Sequence, residues 1–206
     1  MNKKVIFYLH GFNSASLGLN GSLLISKEKL KVMQEFCTEK EVLFFTPNVD
    51  YRDFQSLVED MLFEWNQYLD KGYDVVFMGS SMGGFASEYL AMKVGGKAIM
   101  INPAICPSEL LPHFIGVTEN YETGQPYQWD QSHCDQYQNY EQELADSKQL
   151  FKRTILLDMA DELLDAEKTR VKYLTKAEVV TFEGGSHSFE HMKQALPVVE
   201  RVLFSS

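Results

Sequence analysis

The pentapeptide Gly79-Ser80-Ser81-Met82-Gly83 restricts what this chain can fold into more than any other stretch. The apolar run Val75-Val76-Phe77-Met78 precedes it, and a helical pattern from Gly84 to Val94 follows. A strand that turns sharply into a helix through G-x-S-x-G holds the central serine on a strained backbone and lifts its hydroxyl above the sheet. Side chains two residues to either side would strike the adjoining strand and helix, so both places want glycine. Gly79 and Gly83 meet that requirement, which makes Ser81 the candidate nucleophile. Ser80 is a second hydroxyl in the same turn, but it does not stand between the glycines. A serine hydroxyl needs a base to take its proton and a third group to orient the base.

Read in order, the chain alternates short apolar runs with helical patterns, the mark of a parallel sheet covered on both faces. The first run, Val5 to Leu9, ends in His10-Gly11-Phe12-Asn13. A glycine at such a strand end lets the backbone approach a substrate, and the next amide can point at a developing negative charge. The backbone N–H groups of Phe12 and Met82 are accordingly the expected oxyanion donors. A loop from Asn13 to Ser22 leads to a helix expected over Leu23 to about Thr38, then a strand over Val42 to Phe45. The stripe Phe54, Leu57, Val58, Met61, Leu62, Trp65 and Leu69 predicts an amphipathic helix with a core face, ended by Gly72. Lys97 to Ile101 reads as the strand after the elbow helix.

Between Asn102 and Arg153 the periodicity lapses. This stretch holds four prolines and Trp129, and it suggests only short helices near Ser108 to Phe114 and Glu141 to Leu150. An irregular segment of this length is usually a functional insertion, so residues 102–153 are expected to form a lid-like element. Phe114, Tyr127 and Trp129, with Ile115 and Tyr121, are its material for a substrate pocket.

Regularity returns with Thr154 to Leu157, followed by Asp158, Asp161 and Asp165. A catalytic acid belongs in the loop just past a strand end, on the same edge of the sheet as the elbow. Asp161 is best placed; Asp158 is still close to the strand, and Asp165 falls in the following helix. The last strand, Glu178 to Phe182, runs into Gly184-Gly185-Ser186-His187, a flexible loop that leaves His187 free to reach Ser81. His191 belongs to the closing helix, which Pro197 is expected to kink or divide. The order Ser81, Asp161, His187 is that of the α/β-hydrolases.

Composition narrows the remaining choices. The 206 residues are 45% apolar, enough for one good core and a single domain over 1–206. A formal charge of -10 argues against nucleic acid and anionic membrane as partners. The charged head Met1 to Lys4 precedes an apolar run too short for a signal peptide, and no stretch approaches the ~20 apolar residues of a membrane span. Cys37, Cys106 and Cys134 lack paired spacing, and with the odd count they indicate a reducing, cytoplasmic setting. No His/Cys cluster has metal-ligand spacing, so neither a metal nor another cofactor is expected.

Five segments together resemble the small bacterial esterases of the YqiA type. They are Tyr8-Leu9-His10-Gly11-Phe12-Asn13-Ser14, Gly79 to Gly84, Asn102-Pro103-Ala104, Glu119-Asn120 with Thr123-Gly124-Gln125, and Glu183-Gly184-Gly185-Ser186-His187. The similarity spans nearly the whole chain, insertion included. It implies a minimal α/β-hydrolase fold, with a mostly parallel sheet, helices on both faces and the insertion before the strand that carries the acid. It also implies esterase activity with Ser81, Asp161 and His187 as nucleophile, acid and base.

The expected chemistry is hydrolysis of a small-molecule carboxylic ester or acyl thioester through an acyl-enzyme on Ser81. Two alternatives share the residues: an acyltransferase, in which an alcohol replaces water, and a hydrolase-fold binding protein without turnover.

Overall fold

The chain builds its main sheet from six strands, all parallel. The computed structural model describes residues 3–205. In chain order the strands of the main sheet are β1 (Lys3–Leu9), β2 (Leu43–Phe45), β3 (Tyr73–Ser80), β4 (Lys97–Ile101), β7 (Lys152–Asp158) and β8 (Glu178–Phe182), laid side by side as β2-β1-β3-β4-β7-β8. A separate antiparallel hairpin pairs β5 (Gly116–Glu119) with β6 (Pro126–Trp129).

Strand residues alternate between two cores because successive side chains point to opposite faces. Val5, Phe7 and Leu9 join one cluster together with Phe77, helix α2 (Phe54–Asp70) and helix α3 (Met82–Val94). Ile6, Tyr8, Val76 and Met78 join the other, under α1 (Glu28–Glu39) and α7 (Met192–Phe204). Helices therefore cover both faces. No helix among the described residues is long and apolar enough to cross a membrane.

From β1 the chain first runs outward to β2 and then crosses back to β3 on the other side of β1. The loops after β1 and β3 thus leave in opposite directions. Such a switch point opens a crevice at the carboxyl ends of the strands, where open α/β sheets bind ligands.

Several element boundaries differ from the sequence expectation. Helix α1 begins at Glu28 rather than Leu23, because the preceding residues are taken up by turns: Leu23 bridges back to Leu17, the Leu24 N–H donates to the Ser16 carbonyl and the Lys27 N–H to that of Leu24. In α2 the inner stripe is buried as far as Met61 and packs on the core through Leu62 and Trp65, but Leu69 is exposed at the far end. Pro197 lies inside α7 without dividing it. Its ring is on the exposed side, where water can reach the carbonyl that it frees, while Ala195, Val199 and Leu203 stay buried on the other.

The stretch 102–153 is more regular than its sequence suggests. It contains α4 (Pro107–Leu110), a 3₁₀ turn over Leu111–Phe114, the hairpin, and α5 (Gln131–Asp146). Helix α5 escapes a periodicity reading because it buries only Cys134 and Tyr137. Its start is marked by a capping box, in which Asp130 accepts from the N–H groups of Ser132 and His133 while the His133 ring accepts from that of Asp130.

Candidate active site

Ser81 is the last residue before α3 and adopts φ 56 and ψ -120, a conformation costing about 1–3 kcal/mol for a residue with a side chain. The surroundings leave the turn no other path. Its N–H donates to the Ile101 carbonyl at 3.0 Å, and its own carbonyl accepts from Gly84, Phe85 and Ala104 at 2.9, 3.3 and 3.1 Å. A Cβ on Gly79 would stand 2.1 Å from the Gly83 carbonyl oxygen, and one on Gly83 would stand 2.0 Å from that of Leu9. Both glycines are demanded by close approach of backbone to backbone.

Asp161 and His187 meet directly. The imidazole Nδ1 lies 2.9 Å and 3.1 Å from the two carboxylate oxygens, and the Asp161 side chain is almost fully buried. The nearer oxygen is Oδ2; the other, Oδ1, also accepts from the N–H groups of Leu163 and Leu164, each at 2.9 Å. Glu162 adds a second link between the two loops by accepting from the His187 N–H at 2.9 Å. That bond holds its carboxyl below the usual range.

Asp158 serves a different histidine. It is fully buried at the end of β7, where Oδ1 pairs with His191 Nδ1 at 2.7 Å and Oδ2 accepts from the N–H groups of Glu190 and Ser186 at 2.7 and 3.2 Å. His191, at the start of α7, stacks on Phe182 with ring centroids 5.2 Å apart. Asp165 caps α6 (Ala166–Tyr173) by accepting from the Lys168 N–H. Each of the three aspartates therefore has its own partner.

The loop after β1 abuts the elbow. A Cβ on Gly11 would lie 3.2 Å from Ser81 Cβ and 3.8 Å from its Oγ, which puts the His10-Gly11-Phe12 backbone beside the candidate nucleophile. Met82 opens α3, so its N–H has no acceptor within the helix. His10 braces the loop from behind. Its Nε2 accepts from the Val49 N–H at 2.9 Å, which leaves the proton on Nδ1 to donate to the Gly11 carbonyl at 2.8 Å. Burial pushes the His10 imidazole down to about 4.

The hairpin of the insertion grips the same loop one residue further on. Asn13, at φ 54, donates to Thr118 Oγ1, accepts from the Tyr127 hydroxyl, and offers its carbonyl to the Tyr121 N–H. The Phe12 ring packs against Phe114, Tyr127 and Trp129 at centroid distances of 5.1, 6.5 and 4.7 Å. Trp129 is fully buried, and its Nε1 donates to Cys134 Sγ. Of the residues expected to form a substrate wall, Phe114, Tyr127 and Trp129 thus gather around the Phe12 side chain, while Ile115 and Tyr121 are exposed. Tyr127 and Trp129 also edge a cavity of about 560 Å³ behind the loop, to which Ser81, Asp161 and His187 do not contribute. A smaller cavity, of about 260 Å³, lies between Pro103, Ala104 and Ile105 on the elbow side and Leu163 and Leu164 on the acid loop.

Asn102 joins the candidate site, although its sequence context does not single it out. It is buried at φ 38 beyond β4, its Nδ2 donates to the carbonyls of Ser186 and His187 at 2.9 and 3.3 Å, and its Oδ1 accepts from the Asp158 N–H at 2.9 Å. The signal available was a polar residue ending a buried strand just before a proline. Among the described residues, no group of three or more His, Cys, Asp or Glu is arranged to hold a metal ion.

Solved structures share this architecture. Est1E from Butyrivibrio proteoclasticus superposes with a TM-score of 0.71 at 16% identity, covering 97% of this chain and 86% of that one. A putative hydrolase from Agrobacterium vitis S4 gives 0.69 at 15%, with 98% and 88% covered. These likenesses, with the six-stranded parallel sheet, establish the α/β-hydrolase fold. Among sequences, a UPF0227 protein of Vibrio parahaemolyticus is 24% identical over 199 residues, spanning 95% of this chain and 97% of the relative. One from Shewanella sp. strain MR-4 is 24% identical over 196 residues, with the same coverage. Residues 5–203 match the family described as "Uncharacterised protein family (UPF0227)", and with nearly the whole chain covered, this protein belongs to the UPF0227 family, of the YqiA type.

Proposed function

We propose that this protein is a serine hydrolase that cleaves carboxylic esters or acyl thioesters through an acyl-enzyme on Ser81. The observation that carries the reading is the buried Asp161 carboxylate held on His187 Nδ1 at 2.9 Å, in a loop that Asn102 ties to the strand end beside the elbow. A carboxylate there keeps the proton on Nδ1 and leaves Nε2 unprotonated, ready to accept one. Ser81 Oγ attacks the acyl carbon as His187 Nε2 takes the hydroxyl proton. The oxygen of the tetrahedral intermediate is met by the Phe12 and Met82 N–H groups. Collapse breaks the bond to the leaving alkoxide or thiolate, to which Nε2 returns the proton. Water then repeats the sequence on the acyl-enzyme and releases the acid.

An intact Ser81 on a strained elbow and an acid aligned with a base are both superfluous to a protein that only binds. Est1E has also been solved with ferulic acid bound, and another structural likeness, FphF of Staphylococcus aureus, is a fluorophosphonate-binding serine hydrolase. The test is a fluorophosphonate probe with peptide mapping, alongside turnover of nitrophenyl esters and acyl thioesters of graded chain length. Labelling at Ser81, lost with activity in Ser81→Ala, is expected. Labelling at Ser80, or an active Ser81→Ala protein, overturns the reading.

A further inference from the structure

Lys29 is the second residue of α1, on the opposite side of the sheet from the elbow helix, and its sequence context marks it as an ordinary helix-surface cation. The fold uses it otherwise. Its Nζ donates to Ser80 Oγ at 2.7 Å and to the Ser188 carbonyl at 3.1 Å. Ser80 immediately precedes the candidate nucleophile, and Ser188 immediately follows the candidate base. Ser80 is itself buried.

We propose that Lys29 is a positioning residue that bridges the nucleophile turn to the base loop and limits how far His187 can move from Ser81. The inference rests on the serine-hydrolase reading of the site. The two segments to be joined differ in rigidity. The elbow is locked by four backbone hydrogen bonds, whereas the base loop, with Gly184 and Gly185 at positive φ, is held mainly by side chains reaching it from other segments. The loop's other anchors, Asp158, Asp161, Glu162 and Asn102, reach it from the ends of β4 and β7; Lys29 links it to the end of β3. A proton transfer between Ser81 and His187 needs their heavy atoms within about 2.6–3.2 Å, so slack in this loop falls directly on the rate.

The Lys29 side chain is half-buried, and its amine exchanges solvent for two protein acceptors. Burial and the neighbouring Lys27 pull the Lys29 amine down to about 7, against the opposing pull of Asp158 and Asp161. A helix surface offers a lysine solvent without that cost, and one bridge spanning two carbonyl- and hydroxyl-bearing loops is what is obtained instead.

The test compares Lys29→Met, Ser80→Ala, the double variant and Lys29→Arg. For Lys29→Met we expect kcat on a nitrophenyl ester to fall on the order of 10- to 100-fold, with KM held within about threefold. Fluorophosphonate labelling of Ser81 should slow in parallel, and hydrogen exchange of the segment 184–189 should quicken while the helices stay protected. Lys29→Arg, which keeps a cation able to bridge two acceptors, should recover part of the loss. The double variant should be no slower than Lys29→Met, because both changes cut the same tie. Ser80→Ala removes the bond with the least disturbance and serves where Lys29→Met fails to fold.

Unchanged exchange of 184–189 in a folded Lys29→Met or Ser80→Ala protein overturns the bridge, as do losses that multiply in the double variant. Failure of the hydrolase reading has a different signature: the wild-type protein is itself not labelled at Ser81. The exchange measurement still decides the bridge in that case.

Discussion

The N–H of Asp161 donates to the carbonyl of Asp158 at 3.2 Å, so the two acids share one tight turn at the end of β7. Their carboxylates nevertheless part: that of Asp161 turns to His187 and that of Asp158 to His191. One turn of chain thus yields two Asp–His pairs with different surroundings. The first is tied to the N–H groups of Leu163 and Leu164, while the second is packed under the base loop, where a Cβ on Gly185 would fall 1.9 Å from Asp158 Oδ2.

That division predicts opposite outcomes for the same substitution. Asp161→Asn should lower kcat on the order of 10³- to 10⁴-fold with little change in Tm, since the amide favours the wrong imidazole tautomer but fills the same space. Asp158→Asn should cost about 1–3 kcal/mol of stability, because an amide cannot accept from all of the three donors around it, His191, Glu190 and Ser186. Thermal melts and ester kinetics on both variants check this; full stability with lost activity in Asp158→Asn would reverse the assignment.

Glycine substitutions separate backbone conformation from close approach. Gly72 has φ 79 and nothing within 4 Å of where an alanine methyl would sit, so Gly72→Ala should cost only the left-handed strain of about 1–2 kcal/mol. Gly79→Ala drives a methyl into the Gly83 backbone and should prevent the elbow from forming. Comparable melting temperatures for the two variants would contradict this packing.

Stability should fall as pH drops from about 6.5 toward about 4, in part through His10. Its folded-state imidazole resists protonation down to about 4, so over that window the unfolded chain binds more protons and acid favours unfolding. The His10 contribution is on the order of 3 kcal/mol at full effect. Urea unfolding at pH 7.5 and 4.5 should show a larger loss for the wild type than for His10→Gln; equal losses would remove His10 as a cause.

Acyl-chain preference should respond to the 260 Å³ cavity more than to the insertion's aromatic rings. Leu164 and Ala104 line that cavity, and their backbones are bonded to Asp161 and Ser81 respectively. Leu164→Trp should lower kcat/KM for long-chain nitrophenyl esters relative to acetate. Tyr127→Ala, which frees Asn13 and the Phe12 loop, should lower kcat at every chain length alike, and Trp129→Ala should cost about 3–5 kcal/mol of stability. A chain-length shift in Tyr127→Ala with none in Leu164→Trp would return the role to the insertion.

What the sequence determined by itself was local. Buried parallel strands read as continuous apolar runs, so the ends of β1, β3, β7 and β8 were legible, and with them the positions of Phe12, Ser81, Asp161 and His187 at one edge of a sheet. The glycine spacing around Ser81 was equally legible, since the turn's sterics act within five residues. The insertion was not, because its helix α5 is mostly polar and its hairpin strands are only four residues each, leaving little periodicity to detect. Pairings were beyond reach for another reason. Asn102 with His187, Asp158 with His191 and Lys29 with Ser80 are brought together by the order β1-β3-β4-β7-β8 and the seating of α1, and no spacing along the chain encodes which side chain arrives opposite which. Only the packed sheet decides that, since a hydrogen bond depends on tenths of an ångström between strand ends that are distant in the chain.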